Sequence, residues 1–82
     1  MNDVLTFKLI YETESVAEYE YHPEGNQKAK GLVSVSKKDG SINVVDLSPA
    51  DEAKIYAVKL FKRLRQYFTN KEYEKQGTIS WY

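Results

Sequence analysis

The chain contains no cysteine and a single histidine, His22. Those two absences exclude disulfides, thiol nucleophiles and Cys-ligated zinc, and they make a His-based metal site within one chain improbable. A cysteine-free chain also fits a reducing compartment. No apolar run approaches the roughly 20 residues that a membrane-spanning helix needs. The start, with Asp3 among alternating polar and apolar residues, is not patterned as a signal peptide, so a cytoplasmic chain with no membrane association is expected. Formal net charge is zero, which argues against a general polyanion binder.

What is present is 82 residues, enough for one domain from residue 1 to 82 whose core holds with little margin. Charge is balanced overall but not along the chain. Residues 1 to 24 carry Asp3, Glu12, Glu14, Glu18, Glu20 and Glu24 against Lys8, whereas residues 48 to 82 carry seven bases against four acids. An acidic first half facing a basic second half is expected to attract within the fold or to form two solvated surfaces of opposite sign.

The longest periodic element is 48–70. Ala53, Ala57, Leu60, Phe61, Leu64, Tyr67 and Phe68 fall in one sector at 100° per residue, the pattern of a helix lying on a sheet. Ser48 reads as its N-cap, Pro49 as the first helical residue and Asp51 as a capping-box acid.

Before the helix the period is two. Leu5, Phe7, Leu9 and Tyr11 alternate with Thr6, Lys8, Ile10 and Glu12, and Ala17, Tyr19 and Tyr21 alternate with Glu18, Glu20 and His22, which predicts an antiparallel hairpin with an apolar inner and an acidic outer face. Residues 23–30 read as the longest and most mobile loop. A second hairpin follows, 31–37 with 41–47, turning at Asp39-Gly40. A two-residue turn would set Val35 opposite Val44; a three-residue loop with a glycine bulge would align Val33 with Val45 and bring Leu47 to the same face. After Gly77, Ile79 and Trp81 alternate with Thr78 and Ser80, and so apolar a tail is expected to be tied down as a fifth strand or as a cover at the helix end. The expected fold class is therefore α+β: a four-stranded antiparallel sheet of two hairpins, one long helix on one face, and a short fifth strand at the C-terminal side.

Tyr21-His22-Pro23-Glu24-Gly25-Asn26, the Gly31-to-Val35 strand, Lys38-Asp39-Gly40 and the closing Gly77-to-Tyr82 segment resemble a family of short, uncharacterised proteins from Firmicutes bacteria. That family shares the Pro-Glu-Gly-Asn turn and the Trp-Tyr end. The resemblance implies no activity for any residue.

Chemistry-bearing motifs are few. Gly25 and Gly31 lack the spacing and the following Lys-Ser/Thr of a phosphate loop, and no cofactor or small-molecule motif can be assembled. Glu18 and Glu20 share a strand face, but a catalytic carboxylate pair needs environments that split the two acidities, and this face is expected to be solvated. His22 has no Ser or Cys nucleophile motif nearby and reads as exposed or locally hydrogen-bonded. Lys59, Lys62 and Arg63, with Lys54 and Arg65, make a basic helix flank of the kind that contacts nucleic acid, though late basic residues also complement the helix dipole. The expectation is a non-enzymatic interaction module. Its candidate partner surface comprises Lys8, Glu18, Glu20 and His22 on the sheet and Lys59, Lys62 and Arg63 on the helix, with a protein partner or self-association preferred and nucleic acid as the alternative.

Overall fold

A computed structural model describes residues 3–81. Its element order is β1 (Asp3–Glu12), β2 (Val16–Pro23), β3 (Gly31–Ser36), β4 (Ile42–Asp46), α1 (Ile55–Asn70) and β5 (Gln76–Trp81). The α+β class holds, and the fifth strand is real. All strand pairings are antiparallel. The sheet order is β4-β3-β2-β1-β5, so α1 carries the chain from one edge of the sheet across its face to the other.

The core lies between α1 and the inner sheet face. Leu5, Phe7, Ala17, Tyr19, Tyr21, Val33 and Val35 meet Ala57, Leu60, Leu64 and Tyr67, with Ile79 and Trp81 packed at the margin. Thr78 and Ser80 face outward, as the alternation after Gly77 requires. Tyr82 lies outside the described residues. Gly77 opposes Phe7, whose ring occupies the space a Cβ would need: a methyl there would stand 2.6 Å from Cζ.

Three expectations are corrected. The helix begins at Ile55, not at Ser48, and Ala53 is exposed in the preceding loop. The reason is a buried polar arrangement that claims Ser48 and Asp51 first. Ser48 N–H donates to the Tyr21 hydroxyl (3.0 Å), its own hydroxyl donates to the Ala29 carbonyl, and Ala50 N–H donates to Ser48 Oγ (3.1 Å). Two short turns follow, Asp51 N–H to Ser48 O and Lys54 N–H to Asp51 O, and then Lys54 takes a left-handed conformation (φ 60°) that starts the helix. Asp51 caps from outside: Oδ1 accepts Tyr56 N–H (3.0 Å) and Oδ2 accepts Ala57 N–H (2.9 Å), so two of the free N–H groups of the first turn are satisfied by a side chain in the loop.

Tyr11 is not on the core face. The β1–β2 register shifts between Leu9 and Tyr11, so Ile10 is an extra residue and the alternation inverts beyond it: Tyr11 pairs Glu18 and is 57% exposed, and Glu12 pairs Ala17. Glu12 then meets Lys37 (2.5 Å).

In the second hairpin Val35 pairs Ile42 and Val33 pairs Val44, which is neither of the two registers expected from the sequence. Ser36 N–H donates to Ser41 O, so the loop is Lys37 to Gly40, four residues long. The faces are those of the two-residue turn, with Val33, Val35, Ile42 and Val44 inward. The 24–30 loop is tethered by its own turns, Gly25 N–H to His22 O and Ala29 N–H to Asn26 O, and by the Ser48 hydroxyl on buried Ala29.

Candidate functional site

The helix covers one sheet face and leaves the other open. On the open face β1 presents Thr6 and Lys8, and β2 presents Glu18, Glu20 and His22, because successive strand residues point to opposite sides. Thr6 pairs His22 and Lys8 pairs Glu20 across the strands, which brings four polar side chains into one patch.

At its centre His22 is almost wholly buried, at 1% exposure. Both ring nitrogens have partners: Nε2 lies 2.8 Å from Glu20 Oε1, and Nδ1 lies 3.2 Å from Thr6 Oγ1. A carboxylate only accepts, so Nε2 carries the proton, and in the neutral ring Nδ1 accepts from the Thr6 hydroxyl. Glu20 is held in turn between Lys8 (3.7 Å) and Lys30 (3.9 Å), whose side chains are mostly in solvent. The His22 hydrogen bond, followed by the two ammonium groups, holds the Glu20 carboxyl below its ordinary value against the opposing effect of burial. Beside this cluster a shallow cleft of about 470 Å³ is lined by Thr6, Lys8, His22, Gln27, Gln76 and Thr78.

The order Thr6–His22–Glu20 has the composition of a nucleophile, base and acid. Its setting is wrong for acyl transfer. Thr6 sits mid-strand between β2 and β5, with neighbouring backbone groups engaged in the two ladders, so the free N–H groups that an oxyanion needs are not supplied beside it. The arrangement instead anchors a charged surface: the histidine orients Glu20, and Glu20 orients the two lysines. Among the described residues no three His, Asp or Glu side chains converge as metal ligands would.

The sequence-based surface is thus two surfaces. Lys8, Glu18, Glu20 and His22 stand together on the open sheet face, while Lys59, Lys62 and Arg63 belong to α1 on the opposite side. Two of those bases spend their head groups on rings of their own chain: Lys59 Nζ lies 5.3 Å from the Trp81 ring centroid and the Arg63 guanidinium 5.8 Å from that of Phe7. Only Lys62 of the three is exposed. His22 is locally hydrogen-bonded rather than exposed, and Glu20 is mostly covered rather than solvated, with 13% of its side chain accessible. Lys30 and Gln27 were not singled out from the sequence; they come from the loop, and no periodic signal marks loop residues that fold back onto a sheet.

A second polar feature lies between the helix end and β5. The Tyr67 hydroxyl is buried with no hydrogen-bond partner among the described residues, in a cleft with Arg63, Gln66, Asn70, Glu72 and Glu74. Burial pushes this phenol up, partly offset by Arg63. Tyr19, which donates to the Glu74 carbonyl (2.7 Å), is raised well beyond the ordinary phenol range, again by burial first. Both are core tyrosines with their hydroxyls at the rim. Compared with protein families, with curated proteins and with solved structures, the chain matches none of them.

Proposed function

We propose that this chain is a non-enzymatic protein-interaction module whose docking surface is the open sheet face around Lys8, Glu18, Glu20 and Lys30. The observation that carries the reading is the His22–Glu20–Lys8/Lys30 arrangement: a buried base fixes a carboxylate, and the carboxylate presents two solvent-exposed ammonium groups at set positions. Charges held in place in this way lose less side-chain freedom on binding than free ones, which favours specific recognition of a complementary, partly acidic protein surface. The cysteine-free composition and the resemblance to short Firmicutes proteins favour a bacterial cytoplasm as the setting.

The test is capture of a partner by the immobilised chain from lysate with and without nuclease, repeated with Lys8→Glu/Lys30→Glu and with Lys62→Glu. A partner lost on reversing the sheet-face lysines and kept on reversing Lys62 supports the reading. A partner indifferent to the sheet face, or one lost on nuclease treatment, overturns it. Nucleic-acid binding through α1 is the weaker alternative, because Lys59 and Arg63 lie over Trp81 and Phe7 and leave a sparse basic footprint.

A further inference from the structure

The cleft beside His22 is lined by hydrogen-bond donors and by no carboxylate. Lys8 is its single charged side chain, Gln27 and Gln76 bring amides, and Thr78 brings a hydroxyl. Glu20, the acid that touches the ring, is already held by His22 and the two lysines. The remaining acids of the open face lie toward the β4 side, with Glu18 between Tyr11 and Ser34 and with Asp46 on the edge strand itself. Donors of this kind, one of them cationic, suit an anionic oxygen group.

Thr6 is the lining residue whose behaviour depends on the ring. Its hydroxyl has one proton, and while His22 is neutral that proton is given to Nδ1 (3.2 Å), so Thr6 offers the cleft only lone pairs. A proton taken from solvent at Nδ1 reverses the bond. The ring then donates to Thr6 Oγ1, Nε2 keeps its bond to Glu20, and the threonine proton must turn away from the ring, toward the cleft that Thr6 lines. Protonation thus adds a donor and a positive charge to the same wall. The charged groups set around the ring are Glu20 from its own strand, Lys8 from β1 and Lys30 from the loop. Glu24 of that loop bonds the Tyr56 hydroxyl instead, Lys28 is exposed, and β3 and β5 contain no titratable side chain.

We infer that this cleft is a proton-coupled seat for one carboxylate side chain of a protein partner, held by Lys8, Gln27, Gln76 and Thr78 and joined by the Thr6 hydroxyl when His22 is protonated. Coupling is reciprocal: a carboxylate in the seat makes His22 hold its proton more tightly, and a protonated His22 makes the seat hold the carboxylate more tightly. Affinity therefore falls as pH rises through the titration of His22. The seat lies within the docking face proposed above and rests on that reading. Partner capture and occupation of the seat can nevertheless fail separately, because a small carboxylate needs no partner.

The probe is the capped peptide acetyl-Gly-Glu-Gly-amide, with its Gln counterpart as control, titrated into the purified chain and followed by NMR. Its carboxylate stays ionised between about pH 5.5 and about pH 7.5, the range in which an ordinary histidine changes charge. The Glu peptide is expected to bind saturably in the millimolar range, about tenfold more tightly than the Gln peptide and about threefold more tightly at the lower pH than at the higher. His22 is the only histidine, so its ring signals are unambiguous, and their titration midpoint in the wild type should move to higher pH when the Glu peptide is present. Thr6→Val leaves the ring charge but no hydroxyl to turn, and should reduce the pH ratio while Thr6→Ser restores it; circular dichroism checks that each is folded. Lys8→Gln should weaken binding at both pH values. No saturable binding, equal binding of the Glu and Gln peptides, an affinity independent of pH, or a His22 midpoint unmoved by the Glu peptide overturns the proton-coupled seat. Peptide failure beside a partner that is lost with the sheet-face lysines removes the seat alone, whereas peptide binding without any such partner removes the docking reading alone.

Discussion

Replacing Asp51 with alanine removes one side chain that three donors share. Its carboxylate, 3% exposed, accepts Tyr56 N–H and Ala57 N–H and the Tyr21 hydroxyl at 3.3 Å. Tyr56 N–H is near enough to the surface for water to take over. Ala57 is fully buried, so its N–H is left without an acceptor, at a cost of about 1 to 3 kcal/mol. Loss of the cap adds about 0.5 to 2 kcal/mol. Tyr21 retains its bond from Ser48 N–H and contributes less. The total is about 1.5 to 5 kcal/mol, a large share of what a domain of this size has. Urea melts followed by circular dichroism should show the midpoint falling with an unchanged slope, while Glu52→Ala, exposed in the same loop, should stay within about 0.5 kcal/mol of wild type. Exchange of the Ala57 amide should accelerate beyond what the global loss explains. An Asp51→Ala cost under about 1 kcal/mol, or an Ala57 amide no faster than Leu64 relative to wild type, would refute the assignment of Asp51 as the helix cap.

Leu60 and Leu64 are fully buried at the centre of the helix–sheet contact, so truncating either to alanine should cost about 2 to 5 kcal/mol in the same melts; a loss under about 1 kcal/mol for both would mean that this face is not the packed one. For Glu20 the folded carboxyl is held below its ordinary value of 4.5, so its contribution to stability is present above that value and disappears as pH falls through the lower folded one. The stability difference between wild type and Glu20→Gln, followed by melts from pH 6 to pH 3, should therefore shrink toward acid, and a difference that grows toward acid would contradict the sign.

The periodicity of the sequence carried most of the architecture, because burial on one face forces a period of two in strands and of 3.6 in helices. It located the sheet and its inner face, the stripe Ala57, Leu60, Leu64 and Tyr67, and the inward pair Ile79 and Trp81. It failed where tertiary hydrogen bonds overrode a local pattern. Ser48, Pro49 and Asp51 have the composition of a helix start, and Asp51 does cap α1, but from outside it, because Tyr21 and Ala29 hold Ser48 in the loop. The Ile10 bulge left no trace in the alternation, since Tyr11 and Glu12 suit either face of a strand end. The open-face cluster was half legible: Lys8, Glu20 and His22 follow from alternation, whereas the burial of His22 and the arrival of Lys30 depend on how residues 24–30 fold back.

The strand order also sets a timetable. β1 lies between β2 and β5 in space, yet β5 follows it in the chain after the rest of the domain has been made. At about 5 to 20 residues per second, a ribosome leaves seconds between completing β1 and supplying the strand that covers its flank. Throughout that interval Leu5 and Phe7 stand on an unprotected edge, and the backbone groups later bound to Gly77 and Ile79 are open to any chain nearby. The final strand thus ends a vulnerable period during synthesis, and crowded polysomes, where several copies reach this stage side by side, are where mispairing has the greatest opportunity.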